Sequence, residues 1–195
     1  MPAYNKNIQI NMLTKGGNKK IYNLKDIFSI QMQEMYFPIA MEDMGARFEF
    51  LLLENNTNVF IPPDGIPVKV TAVEHNHPGS AYSYRYERDG YSVVFSTDIE
   101  HGDTLDENLV ELAQDADILI HDGQYSSDEL VLKKGWGHSS FEQAAEMAIR
   151  ANVKQLVITH HDPEHDDDYL RKAEKKCQEI FPHSVFAREG MVIDT

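Results

Sequence analysis

Three apolar runs in this chain end in side chains that bind metals or move protons, and that repetition constrains the fold more than any other feature. Leu156-Val-Ile158 runs into His160 and His161 and then into a fan of carboxylates ending at Asp168. Val70-Thr-Ala-Val73 leads to His75 and His77, and Tyr91-Ser-Val-Val-Phe-Ser96 leads to Asp98. Short apolar runs bounded by polar residues read as strands of a buried sheet. Sheets of α/β proteins build their sites outside the carboxyl ends of such strands. Three strand tips that each carry a ligand-type side chain predict one convergent metal centre, formed by His77, Asp98 and His160. Imidazole and carboxylate suit zinc, iron or manganese, and a carboxylate has two oxygens with which to bridge two ions. Zinc is the default for so histidine-rich a set.

The rest of the chain supplies the scaffold that such tips need. A half-buried strand is expected over 7–13, a loop over 14–20 and an amphipathic helix over 24–36, with Leu24, Ile27, Phe28, Met32 and Met35 on one face. Strands follow over 47–53 and 58–61 around an Asn55-Asn56-Thr57 turn, then a turn at Pro62-Pro63-Asp64-Gly65 and a strand over 68–73. Segments 82–88 and 91–96 flank Asp89-Gly90, a dipeptide that favours the primed turns of β-hairpins. A helix over 105–114 precedes the strand 118–120, which ends at His121-Asp122. Ser139-Ser-Phe-Glu142 has capping-box spacing, and the helix it opens turns Phe141, Ala144, Ala145 and Ala148 inward. A last helix over 167–181 puts Leu170, Ala173, Cys177 and Ile180 on one face and stops before Pro182. Short strands over 185–187 and 191–193 close the chain. Strands first and strands alternating with helices later predict an α/β layered fold, read as a single domain over 1–195. Neither a dinucleotide-binding glycine fingerprint nor a phosphate loop is present.

Composition excludes several function classes. No apolar run approaches the ~20 residues needed to cross a bilayer, so no membrane partner is expected. One cysteine, Cys177, leaves no internal disulfide and makes a reducing cytoplasm the default. The net charge of −14 argues against nucleic acid as a partner, because non-specific binding depends on a basic surface. It leaves a small anionic substrate open, since bound metal ions dominate the local field.

Five runs in order carry a family resemblance: His77-Pro-Gly-Ser-Ala-Tyr-Ser-Tyr-Arg85, Val93-Val-Phe-Ser-Thr-Asp98, Ile118-Leu-Ile-His-Asp122, Gly137-His-Ser-Ser140 and Leu156-Val-Ile-Thr-His160. Together they resemble the second half of a metallo-β-lactamase-fold hydrolase. The likeness is greatest to the phosphodiesterase branch, which includes tRNA 3′-end processing endonucleases and cyclic-nucleotide phosphodiesterase-like proteins. The resemblance implies an αββα sandwich and a divalent-metal centre of up to two ions, with His77 on the first, Asp98 bridging and His160 on the second. It also implies that His138 is a general acid for the leaving oxygen, oriented and held cationic by Asp122. Asp122 stands where the endonucleases carry a glutamate. His75 shares a face with His77 and is a substitute ligand candidate, His161 faces away, and Trp136 either lines the substrate entrance or packs in the interior.

One departure qualifies the expected activity. The family's upstream His-x-His-x-Asp-His pattern is absent, and the chain reads as a member that begins after its first ligand loop and first strands. Three ligands are too few for two ions, so water, a homo-oligomer or a complementing chain has to complete the centre. The expected function is hydrolysis of a small or cyclic nucleotide-type phosphodiester by metal-bound hydroxide. The alternative is a catalytically incomplete module of the same fold that serves in binding or assembly. A small-molecule phosphodiester is preferred to tRNA because only the turn Glu87-Arg88-Asp89-Gly90 stands where bacterial tRNA-processing relatives insert a long basic arm.

Overall fold

A computed structural model describes residues 5–15, 24–53, 56–62 and 64–193. Where the sequence reads one domain, the structure divides into two compact units, Met1–Asn56 and Thr57–Thr195.

In the first unit β1 (Gln9–Lys15) pairs in parallel with β2 (Arg47–Leu53), Gln9 opposite Arg47. Parallel neighbours need a long crossover, and it contains α1 (Leu24–Gln31) and a 3₁₀ turn at Met41–Asp43. The helix is shorter than the expected 24–36. Beyond Met32 the apolar spacing buries nothing, and Met35 and Tyr36 are exposed. Phe28 meets Phe50 with ring centroids 6.4 Å apart.

The second unit is built on one seven-stranded sheet whose spatial order follows the chain. Its strands are β3 (Thr57–Phe60), β4 (Val68–His75), β5 (Ala81–Arg88), β6 (Tyr91–Ser96), β7 (Ile118–Asp122), β8 (Gln155–Thr159) and β9 (Ser184–Phe186). The first four are antiparallel and the last three run parallel to β6. The β5–β6 hairpin turns at Asp89 and Gly90, both with positive φ (52° and 77°), as the Asp-Gly dipeptide predicts. The crossovers carry α2 (Glu107–Ala113), α3 (Ser127–Leu130), α4 (Phe141–Arg150) and α5 (Asp167–Ile180).

Register and the two-residue strand period put Val94, Leu119, Leu156, Ile158 and Phe186 on one sheet face. Leu109, Phe141, Ala144, Ala145, Ala148, Ala173 and Cys177 join them from the helices in one buried cluster. Fully burying a Leu, Ile or Phe side chain stabilises by about 1.5–3 kcal/mol, so this cluster anchors the layer on which the strand tips stand.

Several boundaries differ from the sequence expectation. The strands on either side of 55–57 do not pair with each other: β2 pairs with β1 and β3 with β4. The expected capping box shifts by one residue, to Ser140 and Gln143, because Ser139 Oγ is used inside, donating to the Ile99 carbonyl at 2.6 Å. Ile180, expected on the apolar face, is exposed as the last residue of α5. Residues 191–193 form no strand and Val192 is exposed. The loop expected over 14–20 and the turns containing Asn55 and Pro63 fall partly outside the described residues.

Candidate metal centre

Because β6, β7 and β8 are parallel neighbours, their carboxyl ends deliver Asp98, Asp122 and His160 to one place. The loop after β4 adds His77, and the loop before α4 adds His138. Asp98 Oδ1 lies 3.6 Å from His160 Nε2 and 3.9 Å from His77 Nε2, so one carboxylate oxygen stands between two imidazole nitrogens. Ligands about 2.1 Å from a tetrahedral zinc are roughly 3.4 Å apart along an edge, so Asp98 Oδ1 lies near enough to each imidazole in turn to share an ion with it. Among the described residues, two groups of side chains have ligand atoms within 4.8 Å of one another, His77 with Asp98 and His138, and Asp122 with His138 and His160; the expected set of His77, Asp98 and His160 is not one of them, since its two imidazoles fall in different groups.

The backbone at this point is unusual. Asp98 and His160, the first residues to leave their strands with catalytic-type side chains, have φ of 56° and 62°. Non-glycine residues in the left-handed region cost of order 1 kcal/mol or more and persist only where surrounding bonds over-determine them. Here they do. The Asp98 N–H donates to Asp122 Oδ2 at 3.1 Å, and its carbonyl accepts from His75 Nε2 at 3.0 Å.

Asp122 is the hub. Its buried carboxylate accepts from His138 Nδ1 (2.9 Å), His160 Nδ1 (3.2 Å) and the Asp98 N–H on Oδ2, and from the N–H groups of Gln124 (3.0 Å) and Ser139 (3.4 Å) on Oδ1. Burial alone would favour the neutral acid. The bonds from His138, His160 and Gln124 outweigh it and hold the carboxyl well below the usual range. The same contact holds the His160 proton more tightly than in a free histidine. With Nδ1 turned to Asp122, His160 presents Nε2 to Asp98.

Beneath the centre lies a buried polar layer that sequence reading had not assembled. His75 is no ligand: Nδ1 bonds the Ser83 hydroxyl at 2.8 Å and Nε2 the Asp98 carbonyl, and burial lowers its pKa. His121 is wholly buried against His101, Nε2 to Nε2 at 3.1 Å. The partners assign one direction to this chain. The Asp106 N–H donates to His101 Nδ1, His101 Nε2–H to His121 Nε2, and His121 Nδ1–H to the Asp122 carbonyl at 2.6 Å. Both rings are therefore neutral, in keeping with burial that pushes His101 down to about 3 and lowers His121 as well. No local signal in the sequence ties His101 to His121, which are twenty residues apart.

Glu100 is the second residue that sequence reading missed. Its buried carboxylate accepts the Gly135 N–H at 2.7 Å and the Gly137 N–H at 2.9 Å. Gly137, with φ 91°, packs so closely that a Cβ there would lie 2.3 Å from His77 Cδ2. The loop carrying His138 is thus bolted to the ligand face. The carboxylates after the strand serve the backbone: Asp166 caps α5 through the Tyr169 N–H and Asp162 bonds the Glu164 N–H, while His161 stacks on Phe186. Trp136 is exposed and so does not pack in the interior.

Comparisons with known proteins agree with this fold. The sequence profile of the beta-lactamase superfamily domain matches residues 29–161. Ribonuclease Z of Bacillus subtilis is 36% identical over 106 residues, 54% of this chain and 33% of that protein. The chain therefore spans about a third of this curated relative. The metallo-beta-lactamase fold protein YhfI from Bacillus subtilis superposes with a TM-score of 0.59 at 20% identity, over 76% of this chain and 57% of that one. The short form of human tRNase Z superposes with a TM-score of 0.64 at 18% identity, over 95% of this chain and 66% of that one. These two likenesses show the fold. The relatives also correct one expectation: net charge argued against nucleic acid, yet the matched relatives are ribonucleases by name. Overall charge is a poor guide where recognition is local to a metal-bearing cleft. With two thirds of its length matched by the family profile and an α/β fold of the metallo-β-lactamase kind, this chain belongs to the beta-lactamase superfamily domain family.

Proposed function

We propose that this chain serves hydrolysis of an RNA phosphodiester at a divalent-metal centre held by His77, Asp98 and His160. The observation that carries the reading is the single Asp98 oxygen set between two imidazole nitrogens, with the buried Asp122–His138 pair beside it. A divalent ion in that position supplies Lewis acidity and a water that ionises near neutral pH. Asp98 spans the two imidazoles, and His160, tied to Asp122, keeps its Nε2 aimed at the ligand position. His138 gives its Nε2 proton to the departing oxygen while Nδ1–H stays on Asp122, so the carboxylate stabilises the imidazolium without itself taking the proton. RNA is the substrate class because the relatives in sequence are named as ribonucleases.

The test is metal content beside hydrolysis. Purified protein, with a His77→Ala, Asp98→Ala double variant as background, is assayed for zinc, iron and manganese, then for cleavage of a short RNA, a cyclic mononucleotide and bis(p-nitrophenyl) phosphate. Bound metal with RNA cleavage that the double variant lacks supports the reading. Metal without cleavage of any phosphodiester overturns the catalytic part, and cleavage of the cyclic mononucleotide alone overturns the substrate class.

A further inference from the structure

Trp136 is the only tryptophan of the chain, and it is 58% exposed two residues before His138. An exposed indole on a free loop would be unremarkable, but this one is not free. Glu100 holds the amides on both sides of it, Gly135 and Gly137, and both glycines have positive φ (87° and 91°). The tight turn is thus fixed to the face that carries His77, and the indole is turned outward from a rigid base. The Lys133 ammonium lies 4.2 Å from the Trp136 ring centroid and 5.7 Å from that of Tyr125. Tyr125 is buried with its ring 6.1 Å from that of His138. A cation over two aromatic faces and an indole on a turn held by two backbone bonds together form a pre-organised platform.

Resting on the RNA reading of the centre, we propose that Trp136 and Lys133 form a nucleobase-stacking subsite at its mouth. The base of a single-stranded nucleotide next to the scissile bond stacks on the indole, and Lys133 meets its phosphate. The chemistry on the page favours this occupant. In a chain of net charge −14, the ammonium over the Trp136 and Tyr125 rings suits an anion, and an aromatic face accepts any base. A protein partner would instead need an apolar surface continuous over several elements. The exposed Val131 and Leu132 lie on the same short loop and extend the apolar area by only two residues.

The sole tryptophan makes the test direct and independent of catalysis. Its fluorescence is followed while the full chain is titrated with oligoadenylate, with AMP and with an abasic oligomer of equal length. Saturable quenching by oligoadenylate that the abasic oligomer does not produce is expected. Quenching by AMP at similar affinity would overturn the assignment to an RNA strand, and equal quenching by the abasic oligomer, or none by oligoadenylate, would overturn stacking itself. In a parallel anisotropy measurement with labelled oligoadenylate, Trp136→Leu should weaken binding about tenfold and Trp136→Phe much less. Equal affinity of the wild type and Trp136→Leu would overturn the proposal. Quenching in a protein that cleaves nothing would leave this subsite standing while the hydrolase reading falls.

Discussion

The Asp122 carboxylate accepts the His138 Nδ1 proton at 2.9 Å from a position with no solvent exposure, and it is bonded by four further donors. A buried charge with all its acceptor sites used is replaced at high cost by a group that both donates and accepts. Asp122→Asn turns an NH2 towards N–H groups on one side. It should destabilise the fold by roughly 3 kcal/mol, read as a lower urea midpoint with unchanged slope. An unchanged midpoint would show that the network is not formed in solution.

His138 is shared between two readings, because it belongs to both groups of candidate ligands. If it serves as proton donor, His138→Gln lowers kcat by about 10²–10⁴-fold and leaves metal content intact. Loss of metal in that variant would move His138 into the ligand set.

Gly137 couples the loop to the ligand face by contact alone. In Gly137→Ala the new methyl would meet His77 Cδ2 at 2.3 Å and Pro78 Cδ at 2.6 Å, at a φ that L-residues rarely adopt. The expected outcome is a loss of about 1–3 kcal/mol in stability together with weakened metal uptake. A metal titration identical to wild type would show that His77 is not held by this contact.

Glu129 joins α3 to α5, accepting from the Ser126 N–H and hydroxyl and the Tyr169 hydroxyl at 2.7 Å each and from His165 at 2.8 Å. Desolvation raises its pKa, but these bonds overcome that and hold it down to about 2, from an ordinary 4.5. A carboxylate depressed in the folded state contributes stability that is fully present above about pH 4.5 and lost as pH falls towards 2. With about a third of the side chain exposed, screening reduces the contribution to about 1–2 kcal/mol. The stability gap between the wild type and Glu129→Gln should be constant above about pH 5 and close below it; a gap independent of pH would refute the assignment.

The sequence by itself determined the strands and their tips. Apolar runs with period two, an Asp-Gly hairpin turn and helices with one apolar face are local patterns, and burial of those faces allows one layered arrangement. Hence His77, Asp98 and His160 are expected at strand tips and Asp122 at the end of the run 118–120 from the sequence alone, although His77 stands two residues beyond β4 in the structure. Only the tertiary structure decided how those tips are held. The hydrogen bond from His75 to Asp98, the His101–His121 pair and the two Glu100 bonds to Gly135 and Gly137 join residues 20 to 37 positions apart. A buried polar group must find a partner wherever the fold brings one, and no periodicity records which it will be. The pairing of β2 with β1 was undecided for the same reason: strand propensity marks a strand but not its neighbour. Patterning sets which residues are buried, and the packed structure alone sets which buried polar atoms meet.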